Sequence, residues 1–140
     1  MTPPAIFDGH NDLLSQLWGD GDHTGAGFFD GRAGDISLQA CRAGGMAGGF
    51  FAIWAPGEKA GAPDPMATYR AFTPIDVDQA HRVTMEQAAI LIRMAEARPD
   101  AIRLCRTVAE IEAARQAGAM AAILHIEGCE GIGADLAELQ

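Results

Sequence analysis

Met120-Ala121-Ala122-Ile123-Leu124-His125-Ile126-Glu127-Gly128 decides the fold. Its first seven residues are apolar apart from one histidine, and they show no polar alternation. A strand with one wet face alternates, whereas a run like this predicts a strand buried on both faces, as in a parallel sheet. Gly48-Gly49-Phe50-Phe51-Ala52-Ile53-Trp54 has the same character. Ala5-Ile6-Phe7 is a shorter version that enters Asp8-Gly9-His10-Asn11-Asp12. Polar residues therefore follow the apolar part of the first and last of these strands. In parallel α/β sheets and barrels that edge is where ligands bind.

The segments between the strands read as helices and loops. Leu13–Trp18 is helical or turn-like, and residues 19–34, with six glycines, read as a loop. Ser37 is placed to cap a helix over Leu38–Ala43 that Gly44-Gly45 ends. Prolines at 56, 63, 65 and 74 make residues 55–75 a long irregular loop. Asp76 with Gln79, and Thr107 with Glu110, have capping-box spacing. The first box opens a helix predicted to bury Met85, Ala88, Ala89, Ile92 and Ala95 and to stop before Pro99; Gly118 ends the second. Ile102–Cys105 reads as a short strand, and Asp135–Gln140 as the start of another helix. Strands alternating with amphipathic helices indicate an α/β fold with parallel, right-handed connections.

Composition limits the partners. The 140 residues suit one globular unit, and 49% hydrophobic content argues against disorder. Lys+Arg 10 against Asp+Glu 19 gives a net charge of -9, with no basic run to bind nucleic acid or an anionic membrane. No apolar stretch approaches the roughly 20 residues of a membrane helix. Cys41, Cys105 and Cys129 are scattered, form no CxxC, and suggest a reducing compartment. Met1–Asp8 lacks a basic, apolar signal pattern, so the expected location is cytoplasmic.

His10 and Asp12 are two apart, which in an extended segment puts both side chains on one face. An imidazole nitrogen beside a carboxylate oxygen suits zinc or a similar ion, and Glu127 sits at the corresponding end of a later strand. Asp8 is expected to share that face and orient a ligand, or to be a hydrogen-bonded core aspartate. His125, two before Glu127, is expected to point the same way, as a partner of the ligands or as a core histidine. Cys129, Glu130 and His23 read as loop residues, and His81 as surface. Trp54 reads as core and Tyr69 as solvated loop, with pocket lining as the alternative for both.

Asp8-Gly9-His10-Asn11-Asp12-Leu13 resembles the opening motif of the membrane (renal) dipeptidase family, the M19 zinc dipeptidases. Phe50–Pro56 resembles that family's second strand and exit loop, Thr84–Gln87 falls in its long helix, and Ile123–Gly128 resembles the strand bearing its bridging glutamate. The likeness spans roughly residues 5–140.

The resemblance implies a (β/α)8 TIM barrel with two zinc ions that hydrolyses dipeptides through a metal-bridging hydroxide. His10 and Asp12 would bind one zinc, and Glu127 would bridge both. It further implies a homodimer. The second zinc's histidines, the substrate-contacting histidine and arginine, and the acid/base aspartate would lie beyond Gln140. A barrel needs about 250 residues, so residues 1–140 are expected to be the N-terminal portion of one barrel domain, inactive in isolation. Two other readings stand beside this one. One is another metal-dependent amidohydrolase on the same barrel, which His-x-His would favour and Asp12 disfavours. The other is a small non-catalytic α/β metal-binding or subunit protein.

Overall fold

The structure, a computed structural model, describes residues 4–57 and 75–139. Four parallel strands form one sheet: β1 (Ile6–Asn11), β2 (Met46–Ile53), β3 (Ile102–Leu104) and β4 (Met120–Ile126), in the order β1-β2-β4-β3. The three longer strands lie side by side in chain order. The short β3 pairs only with the first three residues of β4. A four-stranded parallel sheet of this kind fits an N-terminal part of a barrel.

The helices are α1 (Leu13–Gly19), α2 (Ala26–Asp30), α3 (Leu38–Gly44), α4 (Val77–Ala97) and α5 (Val108–Gln116). One core joins the sheet to them: Leu13, Leu14 and Leu17 of α1, Phe51 and Ile53 of β2, and Ile90, Leu91 and Met94 of α4 are all buried. The caps are local, and of the two expected capping boxes one forms in full and the Asp76–Gln79 one by its Asp76 half. Ser37 accepts the Ala40 amide, and Thr107 and Glu110 form the full reciprocal box. Asp76 caps α4 by accepting the Gln79 amide.

Several expectations change. Residues 19–34 contain α2, where a loop was expected, because the Asp22 carboxylate collects the amides of Thr24, Gly25, Ala26 and Gly27. Burial raises the Asp22 pKa, but these donated bonds, that of Gly27 foremost, outweigh it and hold the group below the usual aspartate value. Gly25, at φ 73°, lies against Met94 so closely that a Cβ would overlap it.

The buried stripe of α4 is Ala80, Val83, Gln87, Ile90, Leu91 and Met94, while Met85 and Ile92 are exposed. The expected stripe was rotated because a glutamine sits in the buried one. Asp135–Gln140 does not start an α-helix. Leu136 adopts φ 58°, in the left-handed region, and only a 3-10 turn, Ala137–Leu139, follows. The Asp135 and Glu138 carboxylates take the Ala137 and Gly133 amides and compete with helical pairing.

β1 is not buried as expected: Ile6 and Phe7 keep 53% and 42% of their surface. Tyr69 and the central part of the 55–75 loop lie outside the described residues.

Candidate metal centre

β1 does not run in register to its end. Asp8 pairs with Gly49 and Asn11 with Phe51, three steps on β1 against two on β2. The extra residue is a bulge, and bulges near functional sites re-aim side chains. Here Phe7 and His10, three apart, reach the same face. Phe7 meets Phe50 edge-to-face at 6.0 Å, Phe50 meets His125 at 6.1 Å, and His125 meets His10 at 5.9 Å.

The sheet's C-terminal edge then assembles three ligand types. His10 Nε2 lies 3.4 Å from Asp12 Oδ1 and 3.6 Å from Glu127 Oε2. One donor atom from each of the three residues lies within 4.8 Å of those of the other two. Asp12 is no longer in the strand; it occupies the N-cap position of α1, so the chain turns there. Glu127 follows β4, and its amide donates to the Ile53 carbonyl at 3.1 Å, extending the β2–β4 ladder to the carboxylate. All three side chains are open to solvent. An imidazole and two carboxylates are a fitting donor set for zinc or another divalent ion. No other group of three such side chains converges among the described residues.

Asp8 is hydrogen-bonded within β1, one of the two settings expected for it. Its Oδ2 accepts from Asn11 Nδ2 at 3.0 Å and its Oδ1 from the His10 amide at 3.3 Å. It also lies near Cys41 of α3, whose thiol burial, and then the Asp8 charge, push upward in pKa. His125 faces the site, half-buried, with its ring against His10.

Sequence reasoning missed two buried amides. Asn11, 4% exposed, also donates to the Phe50 carbonyl at 3.1 Å. Gln87, fully buried, accepts the Trp54 amide at 3.2 Å and donates to the Trp54 carbonyl at 2.7 Å. It thereby ends β2 and turns Trp54 outward, 45% exposed rather than in the core. The one visible signal for Gln87 was a polar residue on an otherwise apolar stripe; Asn11, inside the polar run Asp8–Asp12, had none.

His23 and His81 lie elsewhere, lining a cavity of about 630 Å³ beside Arg82, Glu86 and Arg93 of α4. His81 is half-buried rather than on the surface, with Nδ1 3.4 Å from the Gly131 carbonyl. Cys129 and Glu130 are exposed loop residues, as expected.

The sequence profile described as membrane dipeptidase (peptidase family M19) matches residues 1–140. The chain belongs to this family. A crystal structure of a metallo peptidase from Rhodobacter sphaeroides, liganded with a phosphinate mimic of the dipeptide L-Ala-D-Ala, superposes with a TM-score of 0.83 at 33% identity, covering 99% of this chain and 42% of that one. Dipeptidase AC, a metallo peptidase of family M19, gives 0.80 at 35% identity, with 96% and 38% covered. An Acinetobacter calcoaceticus protein, described only as an uncharacterized protein in the PQQ-III 3' region, is 29% identical over 134 residues, which is 91% of this chain and 41% of that protein. The M19 chain thus spans about two fifths of the length of these relatives. Its α/β fold is that of M19 dipeptidase structures.

Proposed function

We propose that this chain supplies the first part of the metal centre of a dipeptide-hydrolysing (β/α)8 barrel, with residues 1–140 forming the N-terminal portion of that single domain. The observation that carries the reading is the convergence of His10, Asp12 and Glu127 at the C-terminal edge of a parallel sheet in an M19 chain. The phosphinate mimic of L-Ala-D-Ala in the Rhodobacter relative supports a dipeptide as the substrate class.

His10 and Asp12 would hold one zinc ion, and Glu127 would be shared between the two. Bound there, the zinc pair would polarise the scissile carbonyl and make an attacking water acidic enough to react at neutral pH. The chain's own residues prepare that chemistry. The bulge aims His10 at the carboxylates, the Ile53–Glu127 ladder bond fixes the bridging carboxylate, and Asp12 and Glu127 give the site the negative charge a dication needs. The group that protonates the leaving amine is placed outside residues 1–140, together with the second zinc's histidines and the substrate contacts. A homodimer and a cytoplasmic location complete the proposal.

The test uses the full-length parent protein of which residues 1–140 would be the N-terminal portion, called the full chain below. Chelation should abolish dipeptide hydrolysis and added zinc should restore it. Hydrolysis that survives complete metal removal would overturn the reading.

A further inference from the structure

We propose that Asn11 is a positioning residue for the metal centre, a clip that holds the bulged end of β1 so that His10 and Asp12 meet Glu127. The inference rests on the metal reading above. Asn11 lies between the two ligands in sequence, yet it is buried where they are open to solvent. Its one carboxamide ties three elements together. Nδ2 donates to Asp8 Oδ2 within β1 and to the Phe50 carbonyl of β2, and Oδ1 accepts the Leu13 amide, at 3.4 Å, as α1 begins.

Each tie bears on a ligand. The Phe50 bond falls where the β1–β2 register slips, so a side chain joins the strands at the break in the ladder. The Asp8 bond fixes a carboxylate whose other oxygen accepts the His10 amide. The Leu13 bond fixes the residue after Asp12. The amide's orientation follows from its surroundings: two acceptors face the nitrogen and one donor faces the oxygen.

No other residue type of this size does the same work. Aspartate keeps the shape but has no donor for Asp8 or for Phe50, and it sets two carboxylates side by side. Leucine keeps only the branched outline and leaves a carboxylate, a carbonyl and the Leu13 amide without their partner.

The experiment compares wild-type full chain with Asn11→Asp and with the exchange Asp8→Asn/Asn11→Asp. Each apo protein is melted, titrated calorimetrically with zinc, and loaded with cobalt for its visible spectrum. Loss of a group that orients metal ligands typically costs about 10–100-fold in metal affinity. Asn11→Asp should therefore bind zinc about 10–100-fold more weakly and shift the cobalt bands. Should Asn11→Asp not fold, the exchange removes the clash of carboxylates yet still gives Phe50 no donor. It should fold, with zinc affinity at least about 10-fold below wild type.

Wild-type affinity and spectrum in either folded variant, whatever its melting temperature, would overturn the inference alone. A wild-type chain that takes up no zinc would overturn the metal reading, and this inference with it.

Discussion

The two faces of the sheet are built differently. Toward α1 and α4, Phe51 and Ile53 meet Leu13, Leu14, Leu17, Ile90, Leu91 and Met94, all buried to within a few per cent. On the other face the rings of Phe7, Phe50, His125 and His10 form an edge-to-face chain that leads to the carboxylates. At the margins of the sheet Ile6, Phe7 and Ile126 keep 53%, 42% and 50% of their surface. The chain's own helices complete the first face. The second is a floor for which the barrel reading supplies further strands, and His10, Asp12 and Glu127 stand at its polar end. One face is packed by the chain's own helices, and the other carries the candidate metal centre.

That contrast is open to attack at several strengths. The largest effect concerns residues 1–140 expressed alone, which should self-associate, because an open apolar face and unpaired strand edges remain. Sedimentation that shows a cooperatively melting monomer would break the contrast and the barrel reading. In the full chain, Phe51→Ala should cost about 3–5 kcal/mol in denaturant unfolding, the range for a buried aromatic. A cost below about 1 kcal/mol would deny that the helix side carries the stability.

Gly48 sharpens the other face. A Cβ there would stand 2.7 Å from the Phe7 ring and 2.5 Å from the Ala121 carbonyl oxygen, whereas Gly9 has open space around it. Gly48→Val should cost about 1–3 kcal/mol as overpacking, and Gly9→Ala within about 0.5 kcal/mol. Equal effects in thermal melts would remove the close approach of β1, β2 and β4.

The smallest effect lies away from both faces. Asp22→Ala should cost about 1 kcal/mol at neutral pH, as for loss of a helix cap. The folded-state pKa of Asp22 is depressed, so its stabilisation is complete above the ordinary value of about 3.9 and is lost as pH falls through the lower folded value. Unfolding curves of the two proteins should therefore converge in acid. A gap that persists below that range would show that the charge is not what stabilises α2.

What the sequence shows and what it hides divide by distance along the chain. Thr107 with Glu110, Ser37 with Ala40, and the apolar runs of β2 and β4 act over a few residues and are legible directly. His10, Asp12 and Glu127 are legible because strand ends in a parallel sheet share an edge. Asn11 is not, because its partner Phe50 is 39 residues away and depends on a bulge that no local pattern announces. Gln87 hid the phase of α4, because its polarity is satisfied only by Trp54, 33 residues earlier. Leu136 hid a turn, since nothing in the residue type signals φ 58°.

The most direct test of the central claim is metal content and dipeptide turnover of full-chain Glu127→Gln beside wild type. The substitution keeps the shape of the side chain and removes its charge, in an exposed position where folding should be unaffected. The account predicts a normal melt, loss of bound zinc, and turnover reduced by more than the roughly 100-fold typical of losing a mere orienting partner. Two bound zinc ions and near-normal hydrolysis in that variant would contradict it.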